Sequence, residues 1–293
     1  MRRRDFIRHG TTAAAAGATL FGLGRFPHHL FAADKKKHAQ DVVTLGRTGV
    51  KVTRLAQGTG THGVGHSSNQ IRGLGDQGLA DLLVAGVGNG VAFWDLADQY
   101  GSHPHAKLAL KTVARDKVAI MTKTHASTEA EMRDDLDRFR KEIGTDYLDI
   151  VLLHCMLSAD WPQQKAGAMA VLAEAKQKGI IRAHGVSCHD LGAMKTAAES
   201  DWVDVDLARL NPAGVVMDGS PDTIVSVLRR MKEKGKGVIG MKILGEGRLR
   251  DRIDEALQYA LAQDVLDCFT IGAENPREFQ DLLTRIPAAS VRA

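Results

Sequence analysis

Eight short apolar runs recur along this chain about 30 residues apart, and segments with helical periodicity lie between them. The runs lie at residues 54–57, 91–95, 118–122, 148–153, 183–186, 203–208, 237–241 and 268–271. Between the third and fourth runs, residues 131–143 place apolar side chains at three- and four-residue steps, which is typical of an amphipathic helix. Parallel strands need crossover helices, so this alternation predicts an α/β fold, a closed (β/α)8 TIM barrel in a single domain.

The first 33 residues differ from the rest of the chain and are typical of an export signal. Arg3 and Arg4 precede a weakly apolar run rich in Ala and Gly, over residues 11–23, that is too short to anchor in a bilayer. We therefore expect a twin-arginine signal peptide at residues 1–33, a linker at 34–40 and the catalytic barrel at 41–293. This implies recognition by the twin-arginine export machinery and a periplasmic or exported location. The alternative is a disordered basic N-terminus of a cytosolic protein.

The formal net charge of +4 is concentrated in the N-terminal segment. Eight Arg and Lys residues precede Asp41, against two acidic residues, so the remaining body of the protein is neutral or mildly acidic. A body without excess positive charge does not predict a nucleic-acid partner. The three cysteines do not form a disulfide framework, and we expect them as separate thiols.

Three of the apolar runs end close to reactive side chains. Asp95 is the last residue of the second run and Tyr100 lies five residues beyond it, while Lys123 and His154 directly follow the third and the fourth run. The carboxyl ends of parallel barrel strands meet at one rim, so these four side chains can share one pocket. Such a set can support proton-coupled hydride transfer: Tyr donates a proton, Lys lowers the pKa of Tyr, Asp holds Lys, and a neutral His orients a carbonyl. The alternative is ordinary strand ends with a buried salt bridge.

The same residues resemble the aldo-keto reductase family, whose catalytic tetrad is Asp, Tyr, Lys and His in this chain order. The family pattern D-x-A-x-x-Y-G is met by residues 95–101, and the strand-end Lys of the family corresponds to Lys123. The Leu-His pair of the family corresponds to residues 153–154, and its G-x-I-R-x-x-G-V-S strand to residues 179–187. Residues 44–55 resemble the N-terminal β-hairpin of the family, so a hairpin is expected to precede the barrel.

The resemblance extends over residues 41–286 and implies an oxidoreductase that transfers hydride between a nicotinamide cofactor and a carbonyl or alcohol. It implies NAD(P)H bound in an extended form across the barrel mouth, and a small-molecule carbonyl or sugar-like substrate. The positions that match cofactor-binding residues of the family are Gly58, Thr59, Ser187, Asn211, Lys242, Leu244, Gly245, Gly247, Ala273 and Arg277. Ser187 would hold the carboxamide, and the two glycines after Leu244 would let the pyrophosphate approach.

The sequence departs from the family pattern near the cofactor. Cys188 stands where the family usually places Asn, the sixth apolar run lacks the Gln of the family, and Met241 replaces the aromatic residue beneath the nicotinamide ring. Glu274 would repel a 2′-phosphate, whereas Arg277 or Lys242 could pair with it. These residues favour NAD over NADP and exclude neither cofactor.

Two further functions stay open from the sequence. An H-x-H pair among the histidines expected at the barrel rim would suit a metal-dependent hydrolase, although no complete metal-ligand set accompanies it. The histidines expected at the rim are His62, His66, His103, His105, His125, His154 and His189. The missing Asn, Gln and aromatic residue would instead suit a degenerate barrel that binds a ligand without redox turnover.

Residues 58–75 contain a G-x-G-x-x-G motif at positions 58–63 but no helical periodicity. A dinucleotide-binding Rossmann unit would begin a helix at this motif, so the sequence favours a loop whose glycines approach a flat ligand. Trp161, just past the fourth run, is either a stacking surface for a sugar or aromatic substrate or a packing residue.

Overall fold

A computed structural model describes residues 36–290 of the chain, and the predicted signal peptide lies outside these residues. Residues 36–40, for which the sequence predicts a linker, pack against the barrel. Ala39 is fully buried, and its carbonyl accepts a hydrogen bond of 2.9 Å from the backbone N–H of Leu55. In the described part of the chain, no helix combines the length and apolar character that a bilayer span requires.

Strands β1 (Val42–Thr44) and β2 (Lys51–Thr53) form an antiparallel hairpin ahead of the barrel. The barrel strands are β3 (Leu55–Gly58), β4 (Phe93–Asp95), β5 (Ala119–Thr124), β6 (Leu148–Met156), β7 (Ile181–Cys188), β8 (Val205–Arg209), β9 (Gly237–Met241) and β10 (Cys268–Ile271). They pair in parallel in chain order, and β10 closes the barrel by pairing with β3. The predicted (β/α)8 TIM barrel with an N-terminal hairpin is therefore confirmed.

The helices surround the barrel, and their start signals are visible in the sequence. They are α1 (Asn69–Gly88), α2 (His103–Ala109), α3 (Glu129–Ile143), α4 (Trp161–Gln164), α5 (Ala166–Gln177), α6 (Leu191–Glu199), α7 (Pro221–Glu233), α8 (Ile253–Ala262) and α9 (Pro276–Ala289). A capping box of Thr128 and Glu131 begins α3, and Ser220 followed by Pro221 begins α7. The face of α3 that the periodicity predicts is the buried one, formed by Met132, Leu136, Phe139 and Ile143.

The barrel interior is apolar at the end where the strands begin and polar at the end where they finish. Leu45, Val50 and Val52 of the hairpin region pack with inward-facing strand residues such as Phe93 and Leu152. Side chains alternate along a strand, so the next inward positions, two residues later, fall at the carboxyl ends. Those positions carry the reactive side chains, because Asp95 follows Phe93 and His154 follows Leu152 in this alternation.

The first βα loop is shorter than the sequence predicts. Helix α1 begins at Asn69, where the side chain of Ser68 accepts a hydrogen bond of 3.3 Å from the backbone of Ile71. Gly75 interrupts α1 with φ 66°, and the glycines of this first part dilute the apolar periodicity that would reveal a helix. The helix still does not begin at the G-x-G-x-x-G motif, and its strand belongs to a closed barrel rather than to a Rossmann unit.

Candidate active site

Asp95 and Lys123 form a buried ion pair at the carboxyl ends of β4 and β5. The ammonium of Lys123 donates to the carboxylate of Asp95 and, at 2.8 Å, to the carbonyl of Leu96. The second carboxylate oxygen of Asp95 accepts a hydrogen bond of 2.7 Å from Thr270. Burial is the largest single effect and lowers the pKa of Lys123, but the charges of Asp95 and Tyr100 and the hydrogen bonds to them together raise that pKa above its usual value. Lys123 therefore stays charged.

Tyr100 ends a 3-10 turn, Asp98–Tyr100, directly after β4. Its ring centroid lies 4.7 Å from the Nζ of Lys123 and 5.6 Å from the ring of His154, in an edge-on arrangement. The fold thus brings together all four side chains of the predicted tetrad. Burial raises the pKa of Tyr100 more than the charge of Lys123 lowers it, so the net shift is upward. The sequence predicts a lowered pKa, and the reason for the difference is the burial of the phenol, to which the charge of Asp95 adds.

Two glycines of the G-x-G-x-x-G motif enclose the Tyr100 ring. A Cβ atom at Gly60 would lie 2.3 Å from the Cε2 atom of the ring, and one at Gly63 would lie 2.4 Å from its Cδ1 atom. Only residues without a side chain allow the backbone to approach the ring so closely. The sequence predicts glycines that approach a flat ligand, but the flat group that they contact is the phenol of the protein itself.

His154 lies on β6 with a neutral imidazole. Burial, followed by the charge of Lys123, lowers the pKa of His154 well below its usual value. Its Nδ1 atom is buried and has no hydrogen-bond partner among the described residues. The ring of His125 stacks on it at 4.7 Å. A neutral, incompletely bonded imidazole beside a tyrosine hydroxyl can position a carbonyl oxygen.

Cys155, His189 and Arg209 form a second polar cluster that the sequence does not single out as a unit. Cys155 lies where the β6–β7 register shifts, with φ 64°, and its Sγ is 3.0 Å from the Nδ1 of His189. The guanidinium of Arg209 donates to the same Nδ1 atom. Arg has no acceptor, so Nδ1 must carry a lone pair and the proton of His189 lies on Nε2. Burial and then Arg209 lower the pKa of His189 to about 3.

Arg209 faces inward at the end of β8, the strand that lacks the Gln of the family pattern. Its guanidinium also donates to the Oδ1 of Asp218, at 3.1 Å. A sequence signal for Arg209 exists, because inward positions alternate along β8, but a charged residue at a barrel-strand end is not specific enough to identify a site. Its partners Asp218 and His189 lie in two different loops, and only the fold brings them together.

Four of the predicted cofactor residues have side chains that are bonded within the protein, and three of these side chains are uncharged. The side chain of Thr59 donates to the carbonyl of Asp95 at 2.8 Å. The side-chain oxygen of Ser187 accepts from the backbone N–H of Cys155 at 2.8 Å, which leaves the hydroxyl proton available to a ligand. Asn211 is fully engaged: it donates to the carbonyls of Val215 and Lys242 and accepts from the N–H groups of Ala213 and Val215. Asn211 therefore shapes the mouth by joining two loops.

The other predicted cofactor residues lie in the loops after β9 and β10 and at the end of β3. Lys242, which has φ 56°, forms an ion pair with Glu246, and Leu244 precedes the turn Gly245–Gly247. Gly58 packs against the backbone after β10, since a Cβ atom there would lie 2.9 Å from the nitrogen of Gly272. Ala273 is buried in the same loop.

The loop after β10 also holds the two side chains that bear on the choice between NAD and NADP. Arg277 is exposed in the first turn of α9 and has no ion-pair partner in residues 36–290. The carboxylate of Glu274 accepts a hydrogen bond of 2.8 Å from Asn69, at the start of α1. The charge of Glu274 is thus directed toward α1, which weakens the predicted repulsion of a 2′-phosphate.

Two of the histidines expected at the rim lie elsewhere. His103 and His105 are buried on α2, because the chain enters this helix directly after the Tyr100 turn. His103 contacts Glu142 at 2.8 Å and Thr122 at 2.7 Å, and His105 contacts Asp76 at 3.2 Å. The H-x-H pair therefore serves helix packing, and the hydrolase alternative loses the histidines on which it rests.

One group of possible metal ligands occurs in the described part of the chain, formed by Asp98, His103 and Glu142. The guanidinium of Arg138 donates to Asp98 at 2.6 Å and to Glu142 at 3.2 Å. The positive charge between these carboxylates is therefore supplied by an arginine. Trp161 is buried and donates to the carbonyl of Ala193 at 3.2 Å, so it is a packing residue.

Comparison with known proteins identifies a family and a shared fold. The family model described as the Aldo/keto reductase family matches residues 55–275. A protein from Pseudomonas aeruginosa, provisionally described as an aldo-keto reductase, superposes with a TM-score of 0.70 at 19% identity, covering 88% of this chain and 99% of the other. An aldo-keto reductase from Bacillus halodurans in its holo form gives a TM-score of 0.68 at 17% identity, covering 84% of this chain and 90% of the other. At these identities the structural likeness concerns the fold. No curated protein sequence matches the chain significantly.

Proposed function

The chain belongs to the aldo/keto reductase family, and from this premise we propose that it reduces a small carbonyl compound with NAD(P)H, or oxidises the corresponding alcohol. The observation that carries the proposal is the cluster at the ends of β4, β5 and β6. A buried Lys123–Asp95 pair lies against the Tyr100 ring, and a neutral His154 faces the same ring edge-on. A protonated Tyr100, a charged Lys123 and a neutral His154 suit carbonyl reduction.

The proposed chemistry assigns one task to each side chain. Tyr100 is protonated at neutral pH and gives its proton to the carbonyl oxygen as that oxygen gains negative charge. Lys123 remains charged and stabilises the phenolate that forms, because its ammonium lies beside the ring. Asp95 holds Lys123 in place, and His154 holds the carbonyl oxygen near the phenol. NAD(P)H, when bound, supplies the hydride.

The donor set at the ends of β7 and β8 fits a nicotinamide cofactor. The hydroxyl proton of Ser187, the Nε2–H of His189 and the partly bonded guanidinium of Arg209 offer three donors for a carboxamide oxygen. Lys242 and Arg277 supply positive charge in the loops that would face the phosphates. The degenerate-barrel alternative is weakened by this set, because Arg209 and His189 provide donors where the family amides are missing.

The test of the proposed function is Tyr100→Phe, which keeps the ring and removes the proton donor. Reduction of a panel of aldehydes and ketones should fall by about 10²–10⁴-fold, the usual contribution of general acid catalysis. Binding of the dinucleotide, followed by quenching of protein fluorescence, should stay unchanged. Near-normal turnover in this variant would remove Tyr100 from the mechanism.

The cofactor choice is tested by removing the exposed cation after β10. Arg277→Ala should weaken binding of NADPH about tenfold, or 1.4 kcal/mol, and leave NADH unaffected, because only NADPH carries a 2′-phosphate. Glu274→Gln is the matched variant in the same loop and should strengthen NADPH binding slightly. Equal losses for both cofactors in Arg277→Ala would show that this residue does not read the 2′-phosphate.

We also propose that the protein is exported in folded form, on the strength of Arg3 and Arg4 ahead of an Ala- and Gly-rich run. Export of a folded chain would allow a tightly held cofactor, loaded in the cytoplasm, to travel with it. Changing both arginines to lysine should retain the protein in the cytoplasm. Unchanged cell fractionation would reject this proposal, and the mass of any copurifying dinucleotide tests retention.

A further inference from the structure

Arg138 of α3 lies on the outer side of the barrel wall, behind Tyr100 and Lys123. Its NH1 and NH2 groups donate to the two carboxylate oxygens of Asp98, at 2.6 and 2.9 Å. Such a two-pronged contact fixes orientation as well as distance. Asp98 begins the 3-10 turn that ends at Tyr100, so the guanidinium holds the segment that presents the proton donor.

The same guanidinium is connected to the strand that presents Lys123. NH2 of Arg138 donates to the Oδ1 of Asp135 at 2.6 Å, and the other oxygen of Asp135 accepts from the hydroxyl of Thr124. Thr124 follows Lys123 directly on β5, and consecutive strand residues face opposite sides. Asp135 therefore holds β5 from outside at the point where Lys123 faces inward.

A second connection reaches β5 on the other side of Lys123. NH1 of Arg138 donates to Glu142 at 3.2 Å, and the second oxygen of Glu142 lies 2.8 Å from the Nδ1 of His103. The Nε2 of His103 lies 2.7 Å from the hydroxyl of Thr122. Both outward neighbours of Lys123 are thus tied through a carboxylate to the guanidinium that also holds the Tyr100 turn.

The charges in this network support an ordered arrangement. Burial raises the pKa of Asp98, but hydrogen bonding to Arg138 and its charge outweigh burial, so the net shift is downward and Asp98 is ionised at neutral pH. The side chain of Arg138 is 39% exposed, and a single ion pair at that exposure would contribute little. Arg138 instead contacts three carboxylates, one of them through two hydrogen bonds. Such a network contributes more to stability than an isolated surface ion pair does.

We propose that Arg138 is a positioning residue that sets the distance between Tyr100 and Lys123. The inference rests on the proposed function, in which that distance governs stabilisation of the phenolate. Nothing in the reaction requires Arg138 to touch substrate or cofactor, since its contacts are with the turn of Tyr100 and with carboxylates bonded to β5. Its effect is expected in the proton-transfer step.

The experiment compares Arg138→Met with Arg133→Met, a matched control on the same helix whose exposed side chain pairs with Glu174. In Arg138→Met, kcat should fall on the order of 10²-fold with little change in KM, as expected when a catalytic group is misplaced by about 1 Å. Arg138→Lys, which keeps the charge and loses the fork, should recover part of the rate. Arg133→Met should behave as the parent protein.

A second measurement does not require turnover. Ultraviolet difference titration, with a Tyr100→Phe partner as blank, reports ionisation of Tyr100. Because burial is the main reason for the raised pKa of Tyr100, loosening its turn in Arg138→Met should move the midpoint down toward the ordinary value of about 10. If the parent protein reduces no carbonyl compound, the proposed function fails while this titration still decides the role of Arg138.

Asp98→Asn weakens the Arg138–Asp98 ion pair from the carboxylate side, and it replaces Arg138→Met if that variant does not fold. Arg138→Met combined with Asp98→Asn should lose no more activity than the more severe single variant, because both changes break one contact. Unchanged kcat and an unchanged Tyr100 titration in a folded but less stable Arg138→Met protein would overturn the proposal. Independent, multiplying losses in the double variant would overturn it as well.

Discussion

Strands β5 and β8 both carry polar side chains on their two faces, but the protein satisfies those of β5 and leaves those of β8 incomplete. On β5, Lys123 is paired inward with Asp95, and the hydroxyls of Thr122 and Thr124 are bonded outward. On β8, neither carboxylate oxygen of Asp206 has a hydrogen-bond partner among residues 36–290, and the Nε of Arg209 has none either.

The difference indicates separate tasks for the two strands. A buried polar group without a partner costs about 1–3 kcal/mol, so the protein gives up stability at β8 that it keeps at β5. A fully bonded shell holds reactive groups in one geometry, which is what the Tyr100–Lys123 pair requires. The buried carboxyl of Asp206 is completed by a proton, and the unpaired Nε of Arg209, at the carboxyl end of β8, by water or a bound ligand.

Lys123→Met should give the largest loss of stability, because it breaks the ion pair on β5, the strand whose polar groups are bonded. It leaves the buried carboxylate of Asp95 with the hydroxyl of Thr270 as its remaining side-chain partner. Loss of one partner of a buried ion pair costs about 3–5 kcal/mol. Denaturant unfolding measures this loss. Replacing both partners, with Asp95→Asn added, should restore part of the stability. A Lys123→Met protein as stable as its parent would contradict the view that β5 is held by its polar bonds.

Asp206→Asn tests β8, the strand whose buried polar groups lack hydrogen-bond partners. Burial raises the pKa of Asp206 from 3.8 to about 7, so the folded state binds the proton more tightly than the unfolded state. The resulting stability is fully present below pH 3.8 and is lost as the pH rises through 7, by up to about 4 kcal/mol at 1.36 kcal/mol per unit. The variant should be more stable than the parent at pH 8 and show a flatter pH dependence. Parallel pH profiles of the two proteins would reject an elevated pKa.

Arg209→Met should lower stability, because it leaves the carboxylate of Asp218 without its ion-pair partner, and it should also have a sharp local effect on His189. Without the guanidinium, the Nδ1 of His189 can accept a proton, and the pKa of His189 should rise above about 3 but stay below its ordinary value, because burial, the larger cause of the lowering, remains. Histidine NMR titration measures this change. Arg182→Met, which removes an exposed guanidinium paired with Asp149, is the control and should leave His189 unaffected. A His189 that titrates normally in the parent protein would show that Arg209 does not hold it neutral.

Most of the fold and the centre of the site can be predicted because local patterns carry them. The runs at residues 237–241 and 268–271 coincide with β9 and β10, and the tetrad residues all follow predicted strand ends. Prediction fails where partners are distant along the chain. Glycines hide the start of α1, His103 and His105 turn away from the rim on a helix, and His189 meets Arg209 only across two strands.

The sequence by itself determined the barrel and the meeting of Asp95, Tyr100, Lys123 and His154 at one rim, because strand alternation and the meeting of parallel strand ends follow from backbone geometry, and its resemblance to the family implied the hairpin. The tertiary structure decided the electrostatics. Whether Lys123 lowers the pKa of Tyr100 depends on burial and on the opposing charge of Asp95, and neither can be read from spacing. It also decided that Gly60 and Gly63 enclose the phenol, since such contacts join segments whose approach is set by packing.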